Sequence, residues 1–142
     1  MTDQDFLAKA VEVGNQVPQP YNFGAVVVKD GEIVSAEHNH VHETNDPSLH
    51  SEVCAISAAC KKLGSSYLEG AVLYASHEPC TMCFACAAWA HFDRIVYATA
   101  ASEQEGFVYE FKTPNIEGLA KQLVRPMLVE HIPLTDDLFY KR

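Results

Sequence analysis

Two short motifs constrain this chain more than any other feature: His50-Ser51-Glu52 and Pro79-Cys80-Thr81-Met82-Cys83. Each opens a predicted helix directly after a loop or a strand end. Cys-x-x-Cys at a helix start lets two thiolates converge on one metal ion, and the helix N-terminus favours the anionic sulfurs. His50 can supply a third ligand from the other helix start. Any fold that uses the three residues together must bring two helix N-termini to one place. Three protein ligands plus a water is the arrangement of a catalytic zinc, whereas structural sites close the fourth position with protein.

Glu52 stands two residues from His50, too close to be an obvious second ligand but well placed beside a water on the metal. Zinc can lower the pKa of water from 15.7 to about 7. A neighbouring carboxylate can take the proton and pass it to a leaving nitrogen. Those two devices are what hydrolytic removal of an amino group from an aromatic ring requires.

The rest of the sequence reads as an alternation of helices and strands. Thr2-x-x-Asp5 resembles a capping box, and Phe6, Leu7, Ala10, Val11 and Val13 follow it as a helical stripe ending near Gln16. Phe23–Lys29 and Glu32–Glu37 are predicted strands joined by an Asp30-Gly31 hairpin turn. A polar loop, His38–Leu49, leads into a helix over His50–Leu63 that Gly64 stops. Ala71–Ser76 reads as a strand, Pro79–His91 as a helix, and Arg94–Ala98 as a strand. Ser102–Thr113 is ambiguous. Asn115–Val124 is predicted helical, Met127–Ile132 extended, and Thr135–Tyr140 a last helical turn or two. Strands separated by helices at this spacing imply a largely parallel sheet covered on both faces, with one opening hairpin.

At 142 residues the chain is expected to form one domain spanning positions 1–142. Its formal net charge of −9 argues against a protein whose affinity rests on neutralising phosphates, so nucleic acid is not an expected partner. Met1–Asp5 has neither the basic start nor the apolar run of a signal peptide, and no apolar stretch reaches the ~18 residues of a membrane span. A cytoplasmic, reducing location is the expectation. There the five cysteines are core, metal-bound or catalytic rather than disulfide-bonded.

His-x-Glu followed by Pro-Cys-x-x-Cys resembles the signature of the zinc-dependent cytidine deaminase superfamily. The looser pattern runs from Phe23-Gly24-Ala25-Val26-Val27-Val28 through Asn39 and Asp46-Pro47 to Glu78-Pro79-Cys80 and Arg94-Ile95-Val96-Tyr97, more than half the chain. Glu78–Cys83 is similar to the branch that holds guanine, fungal-type cytosine and tRNA adenosine deaminases. The resemblance implies a three-layer α/β/α fold with a mixed five-stranded sheet. It implies Zn2+ held by His50, Cys80 and Cys83, with Glu52 as proton shuttle. It further implies that Asn39 and the backbone N–H of Ser51 bind the base and that Phe23 walls the ring. A small nucleobase or nucleoside is the expected substrate and a homodimer the expected assembly.

Within that branch the chain departs at Ser51, where Ala is usual, and at Ala85-Cys86, where Gly-Ala is usual. Ala88-Trp89-Ala90 resembles the guanine deaminases. Those carry an acid shortly after a Gly-Phe pair, and here the first acid after Gly106-Phe107 is Glu110. Guanine is therefore the favoured base, with cytosine-type and tRNA adenosine deamination as alternatives and a zinc-stabilised interaction module as the non-enzymatic one. Whether Glu110, Phe139 or Tyr140 reaches the pocket stays open at this level.

Other residues read more blandly. Cys86 continues the side of Cys83 but suits a small core residue, and Cys54 and Cys60 sit on an apolar helix face. His77 and His91 read as satisfied structural histidines, Trp89 as core and Glu110 as a surface acid. His38, His40 and His42 alternate; they fit a pocket-rimming loop, with a second metal site as the sharper reading.

Overall fold

The computed structural model describes residues 1–104, 109–111 and 115–134. The first helix, α1, is Asp3–Gly14. Its start is closed as a capping box: Asp5 N–H donates to Thr2 Oγ1 at 3.2 Å and Thr2 N–H donates to Asp5 Oδ2 at 2.8 Å. Strands β1 (Gly24–Lys29) and β2 (Glu32–His38) form the expected hairpin. Asp30 and Gly31 take φ values of 54° and 77°, the left-handed pair that a two-residue turn matched to strand twist requires. A short helix, α2 (Val41–Thr44), lies inside the segment read as loop.

Helix α3 is Ser51–Leu63, ended by Gly64 at φ 68°. Strand β3 is Val72–His77, α4 is Thr81–Trp89, and β4 is Arg94–Thr99. Ala101–Glu103 makes one 3-10 turn. Helix α5, Ile116–Ala120, is shorter than the predicted Asn115–Val124, and β5 is Leu128–His131. Asn115 caps α5 by accepting the Gly118 N–H at 2.8 Å. The predicted turn at Thr135–Tyr140 lies outside the described residues.

The five strands form one mixed sheet in the order β2-β1-β3-β4-β5. The spacing of helices predicts a largely parallel sheet with one hairpin, and the sheet corrects this. Strand β1 is antiparallel to both β2 and β3, and only β3-β4 and β4-β5 are parallel. Strand spacing cannot reveal that β3 joins the far side of β1, because that choice rests on which helix covers which face.

Side chains alternate across the sheet with the two-residue strand period. Val26, Val28, Tyr74, Val96 and Ala98 face α1 and pack on Phe6, Leu7 and Ala10. Ala25, Val27, Leu73, Ala75, Ile95 and Tyr97 face the other way, onto α3 through Ala55, Ile56 and Ala59 and onto α4 through Phe84 and Ala87. Helices therefore cover both faces, as a three-layer arrangement requires. Arg94 ties the α1 start to the sheet by donating to Asp3 Oδ1 and Oδ2 at 2.9 and 2.8 Å, and it also pairs with Glu130 on β5.

The topology places the functional motifs together. Because β1 opposes both neighbours, β2 and β3 end at the same sheet edge where β1 begins. Asn39 follows β2 there, α4 starts just beyond β3, and Phe23 precedes β1. The pairing of Gly24 with His38 and of Ala25 with Ala75 fixes this alignment.

Candidate active site

The segment between β2 and α3 is ordered by its own backbone. His40 N–H donates to the Leu49 carbonyl at 3.0 Å, and Leu49 N–H donates to the Asp46 carbonyl at 3.2 Å. Asp46 Oδ1 accepts from Ser48 N–H and Oγ at 2.9 and 2.6 Å. Asp46-Pro47 thus forms a fixed turn that delivers His50, in extended conformation, to the N-cap of α3. Cys80 holds the same position at α4.

The two caps meet. His50 Nδ1 lies 3.6 Å from Cys80 Sγ and 3.5 Å from Cys83 Sγ, and the sulfurs are 3.6 Å apart. A tetrahedron built on zinc bonds of ~2.0–2.3 Å has edges of roughly 3.3–3.8 Å, so this donor set fits a zinc ion. The electrostatics agree. The Cys80 thiol is pushed down to about 4, first by the hydrogen bond from Cys83 and then by His50. Cys83 goes well up, first through its hydrogen bond with Cys80 and then because it is buried. Two thiols sharing one proton beside an imidazole is a site that gains by exchanging the proton for a cation.

Glu52 lies in the first turn of α3, only 7% exposed. Burial pushes its carboxyl up, and the Ser51 hydroxyl, which donates to Glu52 Oε1, partly opposes this. A carboxyl held in the wall of a cavity with a raised pKa is suited to accept and return a proton.

These groups open into a cavity of about 380 Å³. His50, Glu52 and Cys80 line it, as do Phe23 and Asn39. Asn39 Oδ1 accepts the Val41 N–H at 2.8 Å, which leaves its Nδ2 amide as the group able to donate to a ligand. Ser51 is fully buried, and its N–H belongs to the first turn of α3, where no helical acceptor exists. Of the sequence-predicted site residues, Phe23, Asn39, His50, Glu52 and Cys80 line the cavity, Cys83 joins His50 and Cys80 in the donor set, and Ser51 is buried beside Glu52 outside the lining.

Sequence reasoning missed His77, which lines the cavity wall and meets the Phe23 ring edge-on with centroids 4.8 Å apart. Its Nδ1 is 2.7 Å from Ser76 Oγ, which accepts the Gly24 N–H at 2.9 Å. The only signal was its place directly before Glu78-Pro79-Cys80. Tyr21, Tyr109 and Phe111 also line the cavity. Glu110, read as a surface acid, stands at the rim: it is exposed and it lines the cavity. Phe139 and Tyr140 lie outside the described residues.

Trp89, expected in the core, is instead 81% exposed at the end of α4. The helix buries Cys83, Phe84 and Ala87, and position 89 falls on its opposite side. Cys60 and Cys86 are half-buried against the core, and Cys54 is half-buried with its thiol pushed up to about 11 by burial. His91 is a structural histidine, bonded to Glu69 at 3.0 Å and stacked on Tyr67.

Residues 1–99 match the family model of the cytidine and deoxycytidylate deaminase zinc-binding region. The guanine deaminase of Bacillus subtilis (strain 168) is 37% identical over 93% of this chain and 90% of its own length. The X-ray structure of guanine deaminase from Bacillus subtilis aligns over 97% of this chain and 90% of that one, with a TM-score of 0.68 and 35% identity. A tRNA-specific adenosine deaminase of Aquifex aeolicus (strain VF5) is 40% identical, over 62% of this chain and 58% of its own length.

Proposed function

We propose that this chain, which belongs to the cytidine and deoxycytidylate deaminase zinc-binding family, is a hydrolytic deaminase of a free nucleobase, with guanine the favoured base. The observation that carries the reading is the cavity in which a buried acid, Glu52, stands beside the His50–Cys80–Cys83 donor set, with Phe23 and Asn39 in the same wall. Guanine is favoured over a tRNA adenosine because the guanine deaminase similarity spans nearly the whole chain. The net charge of −9 also disfavours docking of a polyanion.

His50, Cys80 and Cys83 hold the zinc ion. Zinc bound there supplies Lewis acidity and makes water a competent nucleophile near neutral pH. The remaining roles belong to the chain. Phe23 stacks on the ring of the base, and Asn39 Nδ2 and the Ser51 N–H orient it through its polar edge. Water adds to the amino-bearing ring carbon and gives its proton to Glu52. Glu52 passes that proton to the ring nitrogen, then takes the second proton from the added hydroxyl and gives it to the amino group. The C–N bond breaks, ammonia leaves, and the carbon keeps the oxygen. Burial favours this role, because a raised pKa makes Glu52 a stronger proton acceptor than an exposed carboxylate.

Ammonia release from zinc-loaded protein tests the reading over guanine, guanosine, cytosine, cytidine, adenine, isocytosine and aminotriazines, with Glu52→Ala as blank. Turnover of guanine alone supports it. Turnover of cytosine in its place moves the chain to the pyrimidine enzymes, and silence toward every base with zinc bound refutes small-base deamination.

Among the described residues no helix is long and apolar enough to cross a membrane. A cytoplasmic homodimer completes the proposal. It rests on the family resemblance, and sedimentation of the purified protein tests the assembly.

A further inference from the structure

We propose a second metal site, formed by His38, His40 and Glu43 and suited to a borderline divalent transition ion of the zinc class. One nitrogen from each ring and one carboxylate oxygen of Glu43 all lie within 4.8 Å of one another. The rings stack with centroids 4.1 Å apart and planes 29° apart. Imidazole with carboxylate is a donor set for zinc, nickel or copper rather than for calcium or magnesium.

His40 has the surroundings of a metal-bound histidine, which holds one nitrogen with a carboxylate or carbonyl and turns the other to the ion. His40 Nε2 lies 3.2 Å from Glu37 Oε2, and His38 Nδ1 lies 2.9 Å from the Asn39 carbonyl and 3.9 Å from Glu43 Oε1. With Nε2–H held by Glu37, His40 Nδ1 faces Glu43 Oε1 at 2.6 Å. At that distance the two share a proton, and a metal ion would displace it and move the carboxylate out to the ~3.3 Å edge of a zinc site.

The elements explain why the group assembles. His38 closes β2, and the turn of α2 brings Glu43 back over His40. The pair brackets Asn39, whose side chain lines the cavity. An ion here ties the end of β2 to α2 and sets the backbone on both sides of Asn39.

Zinc uptake measured by equilibrium dialysis and elemental analysis tests the site against a graded series of free zinc. Full-length wild-type protein is expected to take up a second ion per chain more weakly than the first. Glu43→Gln, at an exposed position, and the double variant His38→Gln/His40→Gln should each lose the second ion and keep the first. Cys80→Ser should lose the first and keep the second, so failure of the thiolate site and failure of this one are told apart. Cobalt loading separates them again, since only the thiolate site gives sulfur-to-metal charge transfer. A wild type that saturates with one ion, or a Glu43→Gln variant that binds as much as the wild type at every concentration, overturns the proposal and leaves a proton between His40 and Glu43.

Discussion

Glu52 is the residue on which the chemistry turns, and its replacement separates catalysis from metal binding. Glu52→Gln keeps the volume and the hydrogen bond from Ser51 but cannot cycle a proton. Ammonia release is expected to fall on the order of 10²–10⁴-fold, with zinc content unchanged by elemental analysis. His77 gives a second test at the same scale. Burial pushes its pKa from 6.5 down to about 4, so the folded protein holds it neutral where the unfolded chain protonates it. The depressed value means stability is full above pH 6.5 and declines as pH falls toward 4. Chemical denaturation across that window should show the decline, and His77→Asn should flatten it.

At the scale of elements, the close approach of α1 and β1 holds the cavity edge in place. A Cβ on Gly24 would stand 1.9 Å from the Ala10 carbonyl oxygen and 2.6 Å from the Gly14 nitrogen. Both contacts are backbone, so neither side can yield without moving the helix. Gly24→Ala is expected to cost about 3 kcal/mol or more in urea denaturation, at or beyond the top of the usual range for overpacking. The same shift would pull Gly24 N–H from Ser76 and disturb His77 beside it. Activity per folded molecule should therefore fall as well. Much at this scale was readable beforehand. The Thr2–Asp5 cap, the Asp30-Gly31 turn and the Gly64 stop are local signals whose physics is complete within a few residues. Helix α2 was not readable, because four residues of Val-His-Glu-Thr carry no periodicity. Helix α5 came out shorter than its sequence stripe, because a stripe records apolar spacing and not where packing ends.

Across the whole molecule, the metal joins two helix starts far apart in sequence. Binding to the folded state alone raises stability by about 2.7 kcal/mol at free zinc a hundredfold above Kd, and chelation removes that increment. A chelator should therefore lower the melting temperature of the wild type by more than that of Cys80→Ser, as differential scanning calorimetry can show. The sequence by itself determined the donor set, the acid beside it and the alternation that divides each strand between two cores. Residue type, helix-start position and two-residue period are local facts, and they limit the chemistry before any folding is considered. Tertiary structure decided what stands around that chemistry. Phe23, Asn39 and His77 share a wall because β1 runs against both neighbours, a strand order that no single segment encodes. Trp89 faces outward because α4 buries its other side, and His38 meets Glu43 because a four-residue helix turns back on β2. Those placements depend on packing between segments distant in sequence, and only the folded chain supplies it.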